Sequence, residues 1–141
     1  MEEGMIRQAL QLGEIDVDSY SPLALAYIGD AVYEVLIRTK VMSQGSMQVN
    51  KMHKRSTALV KAQAQANMVK LLMEELSEEE AAVYKRGRNA KSATVAKHAT
   101  MIDYRMATGL EALVGYLYLT GRHGRLLELI CNGLGKMGEL P

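Results

Sequence analysis

The sequence predicts an all-α domain of about six or seven helices, and three observations support this prediction. Alternating runs of β-branched residues, which would indicate strands, are nearly absent. Proline occurs only at positions 22 and 141, so few positions interrupt a helix. The core contains no Phe or Trp and must use Leu, Val, Ala, seven Tyr and ten Met, among which Leu, Ala and Met favour helices. With 141 residues, the chain is expected to form one domain over 1–141.

The first half of the chain contains three predicted helical segments. The first covers about residues 2–12 and ends near Gly13. The second begins at Pro22, with Ser21 as its N-cap, and runs to about Val41. Gly45-Ser46 interrupts the pattern, and a long helical stretch follows over about 47–75, bent or split near its middle.

The second half begins with a capping box, because Ser77 is followed three residues later by Glu80. This helix is predicted to end at Gly87. Residues 88–100 are rich in Ala, Ser, Thr and Lys without an apolar stripe, which predicts a polar, mobile loop. Helical patterns return from Met101 to Thr120, where Gly121 stops them, and over about 122–134.

Composition excludes several classes of protein. The single Cys131 excludes an internal disulfide and fits a reducing compartment. No apolar run approaches the ~18–20 residues of a membrane span, and the acidic start of the chain is unlike a signal peptide. We therefore expect a soluble, cytoplasmic protein.

The net charge is only +1, but the charges are segregated along the chain. An acidic block covers 74–80, and two basic clusters comprise Lys51, His53, Lys54 and Arg55, and Lys85, Arg86, Arg88 and Lys91. Segregated charge can produce a basic face that attracts a nucleic acid. The alternative is two ordinary solvated helix faces.

Two apolar helical segments, 25–32 and 107–115, each contain one carboxylate: Asp30 and Glu111. A carboxylate among residues that favour burial needs a reason to be there. If the two meet and solvent reaches them, they form an oxygen site for a divalent cation. Gly29 and Gly115 leave space for a close approach. A structural carboxylate is the alternative for either residue alone.

Helical spacing predicts which faces these segments bury. In the first, Leu25, Ile28, Val32, Val35 and Leu36 form a core stripe, and Asp30 faces away from it. In the second, Leu110, Leu113, Val114 and Leu117 form the stripe, with Glu111 at its margin. Glu34 is predicted to form an i,i+4 pair with Arg38.

Together the two segments resemble the ribonuclease III catalytic domain over about residues 20–135. Leu25-x-x-Ile28-Gly29-Asp30-Ala31-Val32 resembles its signature, and Leu110-Glu111-Ala112-Leu113 with Gly115 resembles its second acidic motif. Tyr27 and the segments 62–66, 86–90 and 103–105 are similar to the Mini-ribonuclease III branch of that family. The chain also ends where larger relatives add a double-stranded-RNA-binding domain, so none is expected.

The resemblance implies a homodimeric endoribonuclease that cleaves double-stranded RNA and matures the ends of 23S ribosomal RNA precursors, with a ribosomal protein as a further partner. Asp30 and Glu111 are the implied catalytic residues and the ligands of Mg²⁺, for which Mn²⁺ could substitute. The two basic clusters, with Lys97 and His98 of the 88–100 loop, are the candidates for RNA contact. The loop itself either enters an RNA groove or is a disordered connector. Tyr20, Tyr27, Tyr33, Tyr104, Tyr116 and Tyr118 are expected in the core or the dimer interface.

The sequence also departs from the full-length enzymes of that family. Acidic positions of those enzymes fall here at Leu23, Ala26, Thr108 and near Val49 or Asn50. The losses leave open a non-catalytic RNA-binding or ribosome-associated protein with the same fold. A helical metal-dependent hydrolase of small phosphates is a third alternative, which the basic clusters disfavour.

Overall fold

The computed structural model describes residues 2–90 and 100–140. Within these ranges seven α-helices and two short 3₁₀ turns occur, and no strand. The helices are α1 (Glu3–Ala9), α2 (Pro22–Met42), α3 (Val49–Val60), α4 (Ala62–Leu72), α5 (Glu78–Asn89), α6 (Met101–Leu119) and α7 (His123–Lys136). The 3₁₀ turns cover Val17–Ser19 and Met73–Glu75. The all-α prediction is confirmed.

Local capping chemistry begins three of the helices. Ser21 Oγ accepts the N–H of Ala24 at 3.1 Å and Pro22 occupies the first turn of α2, as predicted. The predicted capping box at Ser77 and Glu80 is present, with bonds of 2.8 Å and 3.1 Å. Thr100 caps α6 by accepting the N–H of Asp103.

Three helix ends differ from the prediction. Helix α1 stops at Ala9 rather than near residue 12. Helix α5 continues through Gly87 to Asn89, and α7 ends at Lys136 rather than near residue 134. Gly87 does not end α5 because it lies against a neighbouring helix, where a Cβ would be 2.7 Å from the Cβ of Ala112. Gly133, inside α7 as predicted, is packed in the same way, and a Cβ there would be 2.6 Å from Met68 Cγ. These glycines allow close helix packing rather than ending a helix.

The predicted stretch over 47–75 is divided at Lys61, whose extended backbone (φ −62°, ψ 154°) separates α3 from α4. The kink frees carbonyl groups at the end of α3, and side chains satisfy two of them. The Tyr33 hydroxyl donates to Leu59 O at 3.0 Å, and Gln65 Nε2 donates to Val60 O at 2.8 Å. Hydrogen bonds from residues of α2 and α4 therefore stabilise the kink.

Helix α6 is the centre of the domain, where it packs against α2, α4, α5 and α7. Its predicted stripe is buried, as expected. Of the predicted α2 stripe, Leu25 is buried, Val32 and Leu36 are partly buried against the core, and Ile28 is partly buried. Only Val35, which is 61% exposed, is predicted wrongly. The buried face comprises Leu25, Ala26, Gly29, Tyr33, Ile37 and Val41. The small residues Ala26 and Gly29 allow a close approach to α6, and the larger side chains of this face, Tyr33, Ile37 and Val41, complete the buried contact.

None of the helices in the described ranges has the length and apolar character needed to cross a membrane.

Candidate active site

Helices α2 and α6 cross at two glycines, which bring their backbones into direct contact. A Cβ at Gly29 would overlap the carbonyl oxygen of Glu111 and would lie 2.8 Å from Gly115 N. A Cβ at Gly115 would overlap the carbonyl oxygen of Leu25. The crossing therefore requires glycine at both positions, and it brings the residue after Gly29 beside Glu111.

That residue is Asp30, whose carboxylate lies within hydrogen-bonding reach of Glu111. Asp30 is exposed, whereas Glu111 is half-buried at the margin of the α6 core stripe. The two carboxylates thus share one site at the α2–α6 crossing, and solvent reaches it from the Asp30 side.

The site places two carboxyl groups side by side, and their proximity changes how Glu111 ionises. Burial, followed by the hydrogen bond with Asp30 and the charge of Asp30, raises the pKa of Glu111 to about 8. A hydrogen bond from Gln65 acts in the opposite direction. Neither carboxylate forms an ion pair with a cationic side chain in the part of the chain that the structure describes. A bound cation would favour the ionised form of both residues.

Gln65 is a member of this site that sequence reasoning missed. Its side chain is buried, and Nε2 lies 3.4 Å from Glu111 Oε2. The residue stands in the run Ala62-Gln63-Ala64-Gln65-Ala66, where both flanking alanines are buried. A polar residue between buried alanines was the signal that could have identified it.

Tyr33 is a second buried neighbour of Glu111. Burial and, to a smaller degree, the charge of Glu111 raise the pKa of its hydroxyl, which remains protonated and donates to Leu59 O.

The positions where full-length relatives place further acids supply no ligand here. Thr108 is buried and donates its hydroxyl to Tyr104 O at 3.0 Å, while Leu23 is exposed and Ala26 is buried. No group of three or more His, Cys, Asp or Glu residues within 2–90 and 100–140 could hold a metal ion. The donor set is two carboxylates, which fits an ion such as Mg²⁺ that keeps several waters and also binds substrate phosphate.

The candidate RNA-binding residues fall on α3, α5 and the undescribed segment. Lys51, His53, Lys54 and Arg55 are exposed on α3, and Lys85 and Arg86 are exposed on α5. Arg55 donates to the side chain of Gln44, and the guanidinium of Arg88 lies 5.7 Å from the centre of the Tyr84 ring. Lys91, Lys97 and His98 lie outside the described residues, as does most of the predicted 88–100 loop.

Glu34 lies one turn beyond Asp30 on α2 but is not part of this site. Its Oε2 accepts a hydrogen bond from Arg38 Nε at 3.1 Å, which confirms the predicted i,i+4 pair.

Comparison with known proteins gives consistent results. The ribonuclease III domain family matches residues 23–122. The Mini-ribonuclease 3 of Clostridium tetani is 51% identical over 82% of this chain and 77% of its own length. That of Enterococcus faecalis is 48% identical over 88% of this chain and 96% of its own length. A crystal structure of a Fusobacterium nucleatum protein superposes with a TM-score of 0.77 at 31% identity, covering 84% of this chain and 96% of the other.

The all-α architecture, in which the central helix α6 crosses α2 beside two carboxylates, together with the family match over residues 23–122, defines a ribonuclease III-like domain. The chain belongs to the ribonuclease III family of endoribonucleases, and the resemblance to its Mini-ribonuclease III branch is confirmed.

Proposed function

We propose that this protein is a Mg²⁺-dependent endoribonuclease that cleaves both strands of double-stranded RNA, with 23S ribosomal RNA precursors as its substrate. The main support is the adjacency of Asp30 and Glu111 at the α2–α6 crossing, without a cationic partner in the described part of the chain. Membership of the ribonuclease III family supports the substrate class. A ribosomal protein that presents the RNA is a further partner proposed on the resemblance alone.

Asp30 and Glu111 are proposed to hold the metal ion, and Mn²⁺ should substitute for Mg²⁺ because both accept carboxylate ligands. When bound, the ion would make hydroxide more available and neutralise charge that develops on the phosphate. Exposure of Asp30 lets an RNA phosphate approach this side of the site. In-line attack at phosphorus would leave a 5′-phosphate and a 3′-hydroxyl.

The basic residues on α3 and α5 are proposed to contact RNA phosphates. A-form RNA is recognised mainly through its shape, phosphates and 2′-hydroxyls, so exposed cations on helices suit it better than a base-reading pocket. The proposed contacts are Lys51, His53, Lys54, Arg55, Lys85, Arg86 and Arg88, together with Lys91 and Lys97.

A homodimer is supported by apolar surface on the outer side of α2. Tyr27 is 82% exposed, and the aliphatic side chains Ile28, Val32 and Val35 line a groove with Leu127 of α7. Exposed apolar surface of this kind is typical of a protein interface. Sedimentation equilibrium should give about twice the chain mass of 15.6 kDa, and a Val35→Asp substitution should shift the population toward monomer.

The decisive experiment compares cleavage of duplex RNA by the wild type, Asp30→Asn and Glu111→Gln, with Mg²⁺ or EDTA. Loss of a metal ligand should lower the cleavage rate by roughly a thousandfold, since the ion contributes several kcal/mol to transition-state stabilisation. Glu34→Gln is the matched control, because this carboxylate lies on the same helix but is paired with Arg38. It should retain wild-type activity.

Three results would contradict the proposal. Binding of duplex RNA by the wild type without cleavage in Mg²⁺ would instead support the non-catalytic alternative. Cleavage that survives Asp30→Asn would show that the site lies elsewhere. Cleavage that persists in EDTA would exclude the metal mechanism.

A further inference from the structure

Gln65 connects the kink between α3 and α4 to one of the two carboxylates. It lies near the start of α4 with only 2% of its surface exposed. One amide group donates both to Val60 O at 2.8 Å and to Glu111 Oε2 at 3.4 Å.

The chemistry of these two partners determines how the amide is oriented. The backbone carbonyl of Val60 only accepts hydrogen bonds, so the amide must present its NH₂ group to it, and the same group then faces Glu111 Oε2. Gln65 Oε1 is consequently buried with no hydrogen-bond partner among residues 2–90 and 100–140. A buried acceptor without a partner opposes folding, and an apolar side chain of the same length would avoid that cost but would leave Val60 O without this donor. Apolar packing therefore does not explain glutamine at this position, whose amide serves both the α3–α4 kink and Glu111.

We propose that Gln65 is a positioning residue that orients the Glu111 carboxylate for metal binding, an inference that rests on the proposed function. By donating to Oε2, the amide would restrain rotation of the carboxylate that, with Asp30, would hold the ion. Hydrogen bonds to metal-ligating side chains commonly have this role.

The same amide fixes helix α3 relative to the site. Gln65 binds the carbonyl of Val60, and Tyr33, three residues after Asp30, binds the carbonyl of Leu59. The last two residues of α3 are thus tied to the surroundings of both carboxylates. Since α3 carries Lys51 and Lys54, these bonds set the position of a proposed phosphate-binding helix relative to the metal ligands.

The test compares Gln65→Met with the wild type, because methionine has a similar length but neither donates nor accepts strongly. Mn²⁺ binding to the protein without RNA is measured by electron paramagnetic resonance of the free ion. The Mn²⁺ concentration for half-maximal cleavage is measured separately, along with the KM for duplex RNA at saturating Mn²⁺. Gln63→Met is the matched control, since Gln63 is exposed on the same helix.

We expect Gln65→Met to weaken Mn²⁺ binding, and to raise the half-saturating concentration, by roughly 10–100-fold. The RNA KM at saturating Mn²⁺ should change little, and Gln63→Met should behave as the wild type. If Gln65→Met does not fold, Gln65→Asn decides instead. Its shorter amide cannot span from Val60 O to Glu111, so it should weaken Mn²⁺ binding as well.

Unchanged Mn²⁺ binding and half-saturation in a folded Gln65 variant would overturn the inference, even if that variant cleaved more slowly. This result is distinguishable from failure of the proposed function, in which the wild type itself would not cleave RNA or Asp30→Asn would remain active.

Discussion

Two groups of carboxylates in this protein have opposite electrostatic surroundings. The first is an acidic cluster of Glu75, Glu79 and Glu80, and each member is bonded to a cation in α7 or directly before it. Lys136 binds Glu75, Arg122 Nη1 lies 3.0 Å from Glu79 Oε2, and Arg125 Nε lies 2.8 Å from Glu80 Oε2. These hydrogen bonds lower the pKa of all three glutamates.

The second group is the pair Asp30 and Glu111, where burial and the neighbouring carboxylate raise the pKa of Glu111. The acidic cluster has more carboxylates, yet its charges are compensated and join α5 to α7. The pair has fewer carboxylates, but its charge is uncompensated within the described residues. Uncompensated charge, rather than the number of acids, therefore distinguishes the candidate site from structural ion pairs.

The largest expected effect comes from Gly29→Ala, which should disrupt the carboxylate pair and leave the acidic cluster intact. The added Cβ overlaps backbone at Glu111, which cannot move without separating α2 from α6. We expect a loss of roughly 3 kcal/mol or more in the free energy of unfolding, measured by urea denaturation, together with loss of cleavage.

Gly124→Ala is the control for this substitution. A Cβ at Gly124 meets nothing within 4 Å in the described structure, and the residue is helical. This variant should be more stable than the wild type by up to ~1 kcal/mol. Wild-type stability and activity in Gly29→Ala would show that the helices do not cross as described.

The second prediction concerns the acidic cluster and the free energy of unfolding that its ion pairs contribute. Arg125→Met leaves Glu80, which is almost fully buried, without its main cation. Removing one partner of a buried ion pair should cost about 2–3 kcal/mol of unfolding free energy, while cleavage at saturating Mg²⁺ stays unchanged. Arg38→Met is the control: it breaks an exposed pair and should cost less than ~1 kcal/mol. A loss of cleavage in folded Arg125→Met would mean that the two groups are coupled.

The fold was predictable where its determinants are local. Ser21 with Pro22, and Ser77 with Glu80, specify helix starts through hydrogen bonds within a few residues. The end of α5 was predicted wrongly at Gly87, because the contact partner of this glycine, Ala112, is on another helix. The buried face of α2 was predicted only in part for the same reason, since the contact of Ala26 and Gly29 with α6 depends on another helix.

The site was predictable in part. Asp30 and Glu111 are conspicuous because they interrupt apolar helical segments, and the sequence alone suggested that they could meet. Gln65 was not conspicuous, because its role depends on a kink at Lys61 and on a partner in α6. Neither feature follows from residue type or spacing.

The third prediction uses the opposite pKa shifts of the two groups. Because folding raises the pKa of Glu111 from 4.5 to about 8, its ionisation opposes folding as pH rises through that range. In EDTA, Glu111→Gln should therefore match the wild type near the acid end of this range. At the alkaline end it should be more stable by on the order of 2 kcal/mol, a value reduced for partial solvent exposure. Added Mn²⁺ should reduce this difference in unfolding free energy between the variant and the wild type, because the ion stabilises the wild type with Glu111 ionised.

Glu80→Gln should show the opposite pH dependence of stability to Glu111→Gln. The folded-state pKa of Glu80 is lowered, chiefly by Arg125, so its ionisation stabilises the fold above its ordinary pKa. That stability is lost as pH falls through the lowered value. The variant should be destabilised near neutral pH, and the deficit should shrink in acid. The same pH dependence in both variants, measured by urea denaturation, would refute the contrast between the two groups.

The smallest expected effect is a change in the affinity for duplex RNA. It distinguishes cations that pair with the acidic cluster from those proposed to bind RNA. Lys54 is exposed on α3, whereas Arg122 is bonded to Glu79 and lies over the Tyr116 ring. Binding of duplex RNA is measured at several salt concentrations in the Asp30→Asn background, which prevents cleavage if the proposed function is correct. Adding Lys54→Gln should weaken binding by roughly fivefold at 0.1 M salt and reduce the slope of log K against log salt by up to ~0.9, since one phosphate contact is lost. Arg122→Gln should leave the slope unchanged because its charge is already compensated by Glu79. Equal slopes for both substitutions would mean that α3 does not contact the RNA backbone through Lys54.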